Sequence, residues 1–308
     1  MIDLHIHSIY SDDGELTPTQ LVSRCAEEGI SIAAITDHNC IRGCREGEMA
    51  GGKHSVKVIP GIEIDCVWEK INFHLLGYGI NWMGEDFVRI EENIASQSVE
   101  ASKEMLARTR KLGFAVTEDD MRSVSEHSYR KDRWTGEMFG EVILRKEEYR
   151  THPLLEVYRP GGRRGDNPYV NFYWDFYSQG RPCHVAIRFP GMEDMIDVIH
   201  RNDGMAVLAH PGANLRGKEE KLTDILALGI DGVEVFSSYH TQEQTEYFYN
   251  STKKAGLGMT CGSDFHGKTK PAVKIGQICD KNRWDRDDIE REVCRFLQPC
   301  IGLQLKNI

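Results

Sequence analysis

Short apolar strands alternate with amphipathic helices along much of this 308-residue chain, and this alternation restricts the folds open to it. Near the start, a helix with Thr17 as its N-cap and Gly29 as its C-cap is predicted between two apolar strands. The same rhythm returns after residue 191. The predicted strands cover residues 2–7, 30–36, 56–59, 72–78, 204–209, 232–236 and 257–262. Repeated strand and helix units favour an α/β fold with a parallel sheet closed as a barrel.

The rhythm is interrupted after residue 82. Residues 85–112 have the pattern of a long polar helix, and residues 113–180 read as an irregular stretch rich in Arg, Tyr and Trp. We therefore expect residues 83–182 to form a mainly helical inserted subdomain that covers the active site. Residues 1–82 and 183–308 are expected to form the barrel.

Composition excludes several classes of protein. The net charge of −10 argues against a surface that coats nucleic acid, although residues 121–190 carry an excess of basic side chains that would suit an anionic ligand. No apolar run is long enough to span a bilayer, so no membrane contact is expected. The nine cysteines include no Cys-x-x-Cys pair, which fits a reducing compartment. These features predict a cytoplasmic protein, and they leave its oligomeric state open.

Polar groups lie at or near the ends of most of the predicted strands. In a barrel of parallel strands such ends meet at one face, where folds of this kind place their sites. The candidate metal ligands are His5, His7, Asp12, His38, Glu63, His74, His210, Asp264 and His266.

The candidate ligands combine imidazoles with carboxylates and include no thiolate. Taken alone, His5-Ile6-His7 fits two half-exposed histidines somewhat better than a metal site. The whole set suits Zn, Mn or Fe, and nine donors are too many for one ion, so two or three divalent ions are expected. Two metals are a common device for displacement at phosphorus.

Other polar positions have simpler explanations. Glu234 and His240 follow the same strand-end logic but also fit a polar strand end and a neighbour of a helix N-terminus. Ser263 is interpreted as a turn residue rather than a nucleophile. The glycine-rich stretch 43–52 lacks the Lys-Ser/Thr ending of a phosphate-binding P-loop.

Six motifs together resemble the PHP family, named for polymerase and histidinol phosphatase domains. They are His5-Ile6-His7 with Asp12, Thr36-Asp37-His38, Gly61-Ile62-Glu63, His74-Leu75-Leu76-Gly77-Tyr78, Ala209-His210-Pro211-Gly212 and Gly262-Ser263-Asp264-Phe265-His266-Gly267. The resemblance implies a distorted seven-stranded β/α barrel, similar to a TIM barrel, with a trinuclear or dinuclear metal site.

The resemblance also implies a distribution of the ligands. His5, His7, Glu63 and Asp264 would hold the first ion. Glu63 would bridge to a second ion bound by His74 and His210, and Asp12, His38 and His266 would complete a third site. Asp37 would orient His38 rather than bind a metal.

Within the family, the length and the insertion after His74 resemble the stand-alone phosphoesterase branch. This implies hydrolysis of a phosphomonoester, of a nucleotide or a nucleoside 3′,5′-bisphosphate, by a metal-bridging hydroxide. The alternatives are a 5′-to-3′ exoribonuclease acting on short RNA, a histidinol phosphate phosphatase and, last, a non-catalytic metal-binding module. An open groove lined by Trp134, Tyr169, Tyr173 and Trp174 would favour the exoribonuclease.

Arg133 and His240 are the candidate substrate-binding residues. A guanidinium can hold two phosphate oxygens at once, although an arginine in such a stretch also fits a solvated surface. Arg133-Trp134-Thr135-Gly136 stands where an Arg-Pro-His motif is usual in this branch, which separates this chain from its typical members.

Overall fold

Seven strands form one sheet in the computed structural model, which describes residues 1–278 and 284–301. The strands follow one another in chain order: β1 (Ile2–Ile6), β2 (Ile32–Ile35), β3 (Lys57–Trp68), β4 (Ile71–Tyr78), β5 (Met205–Leu208), β6 (Gly232–Ser237) and β7 (Gly258–Gly262). The sheet closes near the ends of β1 and β7, where the Asp264 N–H donates to the His5 carbonyl at 2.7 Å and the His7 N–H donates to the Phe265 carbonyl at 3.0 Å. The predicted β/α barrel is confirmed.

Helices surround the sheet. They are α1 (Pro18–Glu27), α2 (Gly43–His54), α3 (Glu85–Lys111), α4 (Glu118–Val124), α5 (Gly136–Arg145), α6 (Pro168–Phe176), α7 (Met192–Arg201), α8 (Pro211–Leu215), α9 (Leu222–Leu226), α10 (Gln242–Ala255) and α11 (Arg286–Ile301). The start of α1 is fixed by a capping box, in which the Thr17 side chain accepts from the Gln20 N–H and the Gln20 side chain accepts from the Thr17 N–H. No described helix has the length and apolar character needed to cross a membrane.

The expectation of an all-parallel sheet is wrong for β4. This strand pairs antiparallel with both β3 and β5. Only Glu69 and Lys70 separate it from β3, both with positive φ (47° and 67°), and a two-residue hairpin turn of this kind forces the chain to reverse. As a result, His74 reaches the rim from the first half of its strand, opposite Asp65 on β3.

The glycine-rich stretch 43–52 lies in α2. A Cβ at Gly47 would come within 2.9 Å of the Ile35 side chain, and one at Gly51 would lie 2.5 Å from the Val56 carbonyl oxygen. The glycines therefore allow α2 to pack closely on β2 and β3, which outweighs their low helix propensity. Their role is one of packing.

The segment between β4 and α7 is more regular than predicted. Besides the expected α3, it contains α4, α5 and α6 within the stretch read as irregular. Thr117 and Thr135 cap α4 and α5 through their side chains. The segment also has a hydrophobic cluster of its own, which includes Phe139, Leu155 and Phe172. We call residues 83–182 the helical segment.

Candidate metal centre

The C-terminal end of β1 delivers two fully buried imidazoles to the rim of the barrel. The Nε2 atoms of His5 and His7 each lie 3.2 Å from Oε2 of Glu63. They also lie 3.4 and 3.1 Å from Oδ1 of Asp264, which follows β7. These four residues point one ligand atom each at a common centre, with all four atoms within 4.8 Å of one another.

Glu63 belongs to a second group through its other oxygen. Its Oε1 lies 2.8 Å from Nδ1 of His74 and 3.0 Å from Nε2 of His210. A carboxylate whose two oxygens face different sets of imidazoles has the arrangement of a bridging ligand between two cations. The two sets are those for which the family resemblance implied a shared Glu63.

Two further groups share His38. In the first group, His7, His38 and His266 each contribute one ring nitrogen. The second group consists of His38, Asp65 and His74. Asp65 was not among the candidates from the sequence. It lies two residues after Glu63 on the same strand, and this spacing places both carboxylates on one face of β3.

The structure does not bring Asp12 into any of the four groups. Its carboxylate forms an ion pair with Arg133 instead. The neighbouring Asp13 points toward the imidazoles, with its Oδ2 3.3 Å from Nε2 of His266 and 4.0 Å from Nε2 of His38. Because the turn contains two consecutive aspartates, the sequence does not reveal which of them faces the site.

Four of the imidazoles are held in one tautomer. The Nδ1–H groups of His5, His210 and His266 donate to Glu234, to the Asn214 side chain and to the Asp264 carbonyl, at 2.9, 3.0 and 2.9 Å. The Nδ1–H of His7 donates to Ser11 at 2.9 Å. In each case the Nε2 lone pair is left to face the cluster, as a metal ligand requires.

Asp37 acts on His7 rather than on the His38 side chain. Its carboxylate accepts from the Ser8 N–H and hydroxyl and from the Ser11 hydroxyl, at 2.6, 2.7 and 3.0 Å. Since Ser11 gives its proton to Asp37, its oxygen is free to accept from His7 and from the His38 backbone N–H. Burial raises the pKa of Asp37 to about 6, against these hydrogen bonds.

Several atoms of the cluster are buried and lack a hydrogen-bond partner. They are His5 Nε2, His7 Nε2, His38 Nδ1, Glu63 Oε2, Asp264 Oδ1 and His266 Nε2. Buried polar atoms are rarely left unsatisfied in this way, so the residues present fit divalent cations. Their nitrogen and oxygen donors, without thiolates, suit Mn, Zn or Fe.

The charge states of Glu63 and His7 agree with this fit. Burial would raise the pKa of Glu63, but the imidazoles of His5, His74 and His38 hold it well below its usual value. Burial and the neighbouring imidazoles of His266 and His38 lower the pKa of His7 to about 3. An ionised carboxylate and a neutral imidazole are the forms that bind metals.

A cavity of about 250 Å³ lies over the cluster, between the rim and the helical segment. The rim contributes Asp13, His38, His74, His210 and Asp264 to its walls. The helical segment contributes Arg133, Trp134, Glu137, Tyr173 and Trp174. The basic side chain Lys270 also lines the cavity, and its Nζ donates to Asp264 Oδ2 at 2.5 Å.

The two predicted substrate-binding residues lie in different places. Arg133 is buried in the cavity wall, beside Asp12. His240 does not line the cavity. Its Nδ1–H donates to the Val235 carbonyl at 2.8 Å, and its Nε2 accepts from the Gly212 N–H at 3.1 Å, so it supports the start of α8.

Some cavity residues gave no signal in the sequence. Glu137, Lys270 and Tyr239 belong to no motif that was considered, and they reach the cavity through a helix or loop whose path is set by tertiary packing. Glu234 was weighed as a polar strand end, whereas the structure shows that it holds both the His5 ring and the His210 backbone N–H.

A seven-stranded barrel with clustered imidazoles and carboxylates at its rim defines a class of metal-dependent enzymes in which the ligands come from successive strand ends. The family model described as the PHP domain matches residues 3–152. The PHP resemblance that the motifs predicted is confirmed over these residues.

Similarity to individual proteins extends over nearly the whole chain. A 3′,5′-nucleoside bisphosphate phosphatase from Chromobacterium violaceum is 28% identical over 282 residues, which cover 91% of this chain and 92% of the relative. A 5′-3′ exoribonuclease from Haemophilus influenzae is 27% identical, with 86% and 89% covered. A structure from Bifidobacterium adolescentis, described as a metal-dependent phosphoesterase, superposes with a TM-score of 0.75 at 25% identity, with 96% of each chain covered.

Proposed function

We propose that the protein is a metal-dependent phosphoesterase that hydrolyses a phosphomonoester of a small nucleotide or nucleoside 3′,5′-bisphosphate. The observation that carries the proposal is the set of buried, unsatisfied Nε2 and carboxylate atoms beneath the cavity. Similarity over almost the full length to a 3′,5′-nucleoside bisphosphate phosphatase supports the substrate class.

Two divalent ions are best supported by the ligand groups. His5, His7, Glu63 and Asp264 would hold one, and Glu63, His74 and His210 the other. A third ion would depend on His38 and His266, because His7 has a single free nitrogen and can serve only one ion. Asp12 is left out of this set, since Arg133 holds its carboxylate.

Ions bound there would supply Lewis-acid charge and a water of lowered pKa. The chain itself positions the substrate. The Arg133 guanidinium lies in the cavity wall, where it can hold phosphate oxygens in a two-pronged hydrogen bond. The buried Lys270 ammonium group occupies one oxygen of Asp264 and leaves Oδ1 directed at the imidazoles.

We also propose that residues 83–182 act as a subdomain that covers the active site, while residues 1–82 and 183–308 form the barrel. The separate hydrophobic cluster of the helical segment supports this division. So does the cavity, whose upper wall comes from that segment.

A small substrate is favoured over an RNA strand. Tyr173 and Trp174 line one cavity of about 250 Å³ together with the metal groups. Trp134 is buried, and its indole N–H donates to the Lys131 carbonyl at 3.2 Å, which leaves it poorly placed to stack on successive bases. The similarity to a 5′-3′ exoribonuclease keeps this activity as the second candidate.

The cysteines support a reducing compartment, in keeping with a cytoplasmic enzyme. The eight in the described part of the chain are unpaired, and all but Cys300 are buried. Cys279 lies outside the described residues. Burial raises the pKa of thiols such as Cys66 and Cys261, which makes them unreactive.

A substrate screen tests the proposal. The purified, manganese-loaded protein is assayed with nucleotide mono- and bisphosphates, histidinol phosphate and 5′-phosphorylated oligoribonucleotides, and phosphate and mononucleotide release are measured. We expect the highest kcat/KM with a nucleotide or nucleoside bisphosphate. Preferred release of mononucleotides from RNA would establish the exoribonuclease instead, and no hydrolysis of any ester with the metals bound would refute the enzyme.

A further inference from the structure

Glu137 is the carboxylate that the helical segment contributes to the cavity. It lies in the first turn of α5 and is 9% exposed. On one side it faces the cavity over the metal groups, and on the other it lines a second cavity of about 150 Å³. Glu137 therefore lies between the metal groups and a second cavity.

The other cavity carboxylates are each matched to a basic group. Asp12 pairs with Arg133, Asp264 with Lys270 at 2.5 Å, Asp65 with His74 at 3.0 Å and Asp13 with His266 at 3.3 Å. No Lys, Arg or His in residues 1–278 or 284–301 forms an ion pair with Glu137. Burying an ionised carboxylate without such a partner costs free energy. In the cavity wall formed by the helical segment, it would also repel an anionic substrate.

The groups around Glu137 favour its neutral form. Burial and the charge of Asp13, in the loop after β1, raise its pKa to about 7, although Thr135 and the backbone amide of Glu137 hydrogen-bond to it. Lys270, after β7, acts in the opposite direction. Tyr173 faces it from α6, and the same carboxylate contributes to raising the pKa of that phenol. Glu137 can thus hold a proton near neutral pH.

We propose that Glu137 is the general acid that protonates the leaving oxygen of the substrate. The inference rests on the proposed function. The alkoxide of a nucleoside is a poor leaving group, and a positioned acid that shares the cavity with the metal groups meets this need.

The proton balance of the step is as follows. A water oxygen forms a bond to phosphorus while the bond from phosphorus to the leaving oxygen breaks. The Glu137 proton passes to that oxygen and gives the alcohol. The proton lost by the attacking water enters the solvent. A solvent proton returns to the Glu137 carboxylate through the second cavity, which Glu15, Glu141 and Lys268 also line. The products are the alcohol and inorganic phosphate.

A pair of substrates with different leaving groups tests the role of Glu137. Glu137→Gln removes the acidic proton and keeps the shape of the side chain. With a nucleotide, kcat should fall by about 10²- to 10⁴-fold. With p-nitrophenyl phosphate, whose phenolate needs no proton, kcat should change by less than about threefold. Equal losses on both substrates, or no loss on the nucleotide, would overturn the proposal.

Glu141→Gln is the matched control. Glu141 is a buried carboxylate one turn along α5, but it pairs with Arg145 and Lys268 and lines only the second cavity. Its substitution should affect the two substrates equally. If wild-type protein hydrolyses neither substrate, the proposed function fails rather than the assignment of Glu137.

Infrared difference spectra provide a readout that does not depend on turnover. Wild-type protein minus Glu137→Gln should show a protonated carboxyl band at pH 6 that is lost as the pH rises through about 7. Thermal unfolding and metal content, measured in parallel, should match between the two proteins. Absence of the band at pH 6 would also overturn the proposal.

Discussion

The rim of the barrel and the helical segment above it differ in how they build the cavity. The rim supplies imidazoles and carboxylates with lone pairs directed at common centres. The helical segment supplies Arg133, Glu137 and aromatic side chains. The rim is therefore suited to holding ions, and the segment to contacting the rest of the substrate. Substitutions on the two sides should consequently change different measured quantities.

The largest effect is expected for Asp264→Ala or His7→Ala at the rim. Each change removes a ligand from the group that also contains His5 and Glu63. A metal ion supplies several kcal/mol of transition-state stabilisation, so turnover should fall by about 10³-fold or more, together with metal content. Metal analysis and initial rates check this. As a control, His200→Ala changes a surface histidine that pairs with Asp231, and it should leave metal content and turnover unchanged. Full activity in either rim variant would contradict the site assignment.

Glu234→Gln should weaken metal binding without removing a ligand. Glu234 accepts from His5 Nδ1–H at 2.9 Å and from the His210 N–H at 2.8 Å, and the amide can serve only one of these donors. Affinity for Mn²⁺ should fall by about 10- to 100-fold, as for other groups that orient metal-ligating histidines. Competition with a chelator measures it. Glu243→Gln, in the first turn of α10, is the control. If Glu234→Gln bound Mn²⁺ as tightly as wild type, the two hydrogen bonds of Glu234 would not matter for metal binding.

Arg133→Ala tests the substrate side of the comparison. Loss of a charge-assisted hydrogen bond to phosphate should raise KM by about tenfold or more, while the metal content stays at the wild-type level. Arg133→Lys should recover only part of the loss, because an ammonium group lacks the two-pronged geometry. Steady-state kinetics and metal analysis distinguish these outcomes. Loss of metal in Arg133→Ala would mean that its pairing with Asp12 serves the rim instead.

The smallest effect concerns His240, which hydrogen-bonds to the Val235 carbonyl and the Gly212 N–H. Burial lowers its pKa to about 4, so the folded protein binds fewer protons here than the unfolded chain. The contribution of His240 to the free energy of unfolding should be complete above pH 6.5. It should fall as the pH drops toward 4, by at most about 1.4 kcal/mol per pH unit. Denaturant unfolding of wild type and His240→Gln across this range measures the difference. If the free energy of unfolding depended on pH in the same way in the two proteins, this account would be contradicted. A change in KM would instead support His240 as a substrate-binding residue.

The two sides also differ in how far the sequence predicted them. Rim residues such as His210 and His266 lie within four residues of the end of an apolar strand. Because parallel strand ends meet at one edge, their convergence could be inferred from local patterns. The antiparallel path of β4 could not, because the Glu69-Lys70 turn lacks the Asn-Gly or Asp-Gly signal of a tight hairpin.

Residues above the rim were harder to predict for a physical reason. Glu137 reaches the cavity because the Thr135 cap starts α5 at that point and packing against α6 sets its direction. Lys270 does so through its contact with Asp264. Such placements depend on contacts between residues that are distant in sequence. Which of Asp12 and Asp13 faces the imidazoles depends instead on the local geometry of one turn.

An anomalous-scattering map of manganese-soaked crystals tests the central claim most directly. The account predicts one peak among His5, His7, Glu63 and Asp264 and a second among Glu63, His74 and His210, with the Glu63 carboxylate between them. A single peak, peaks away from Glu63, or no peak at the rim would contradict it.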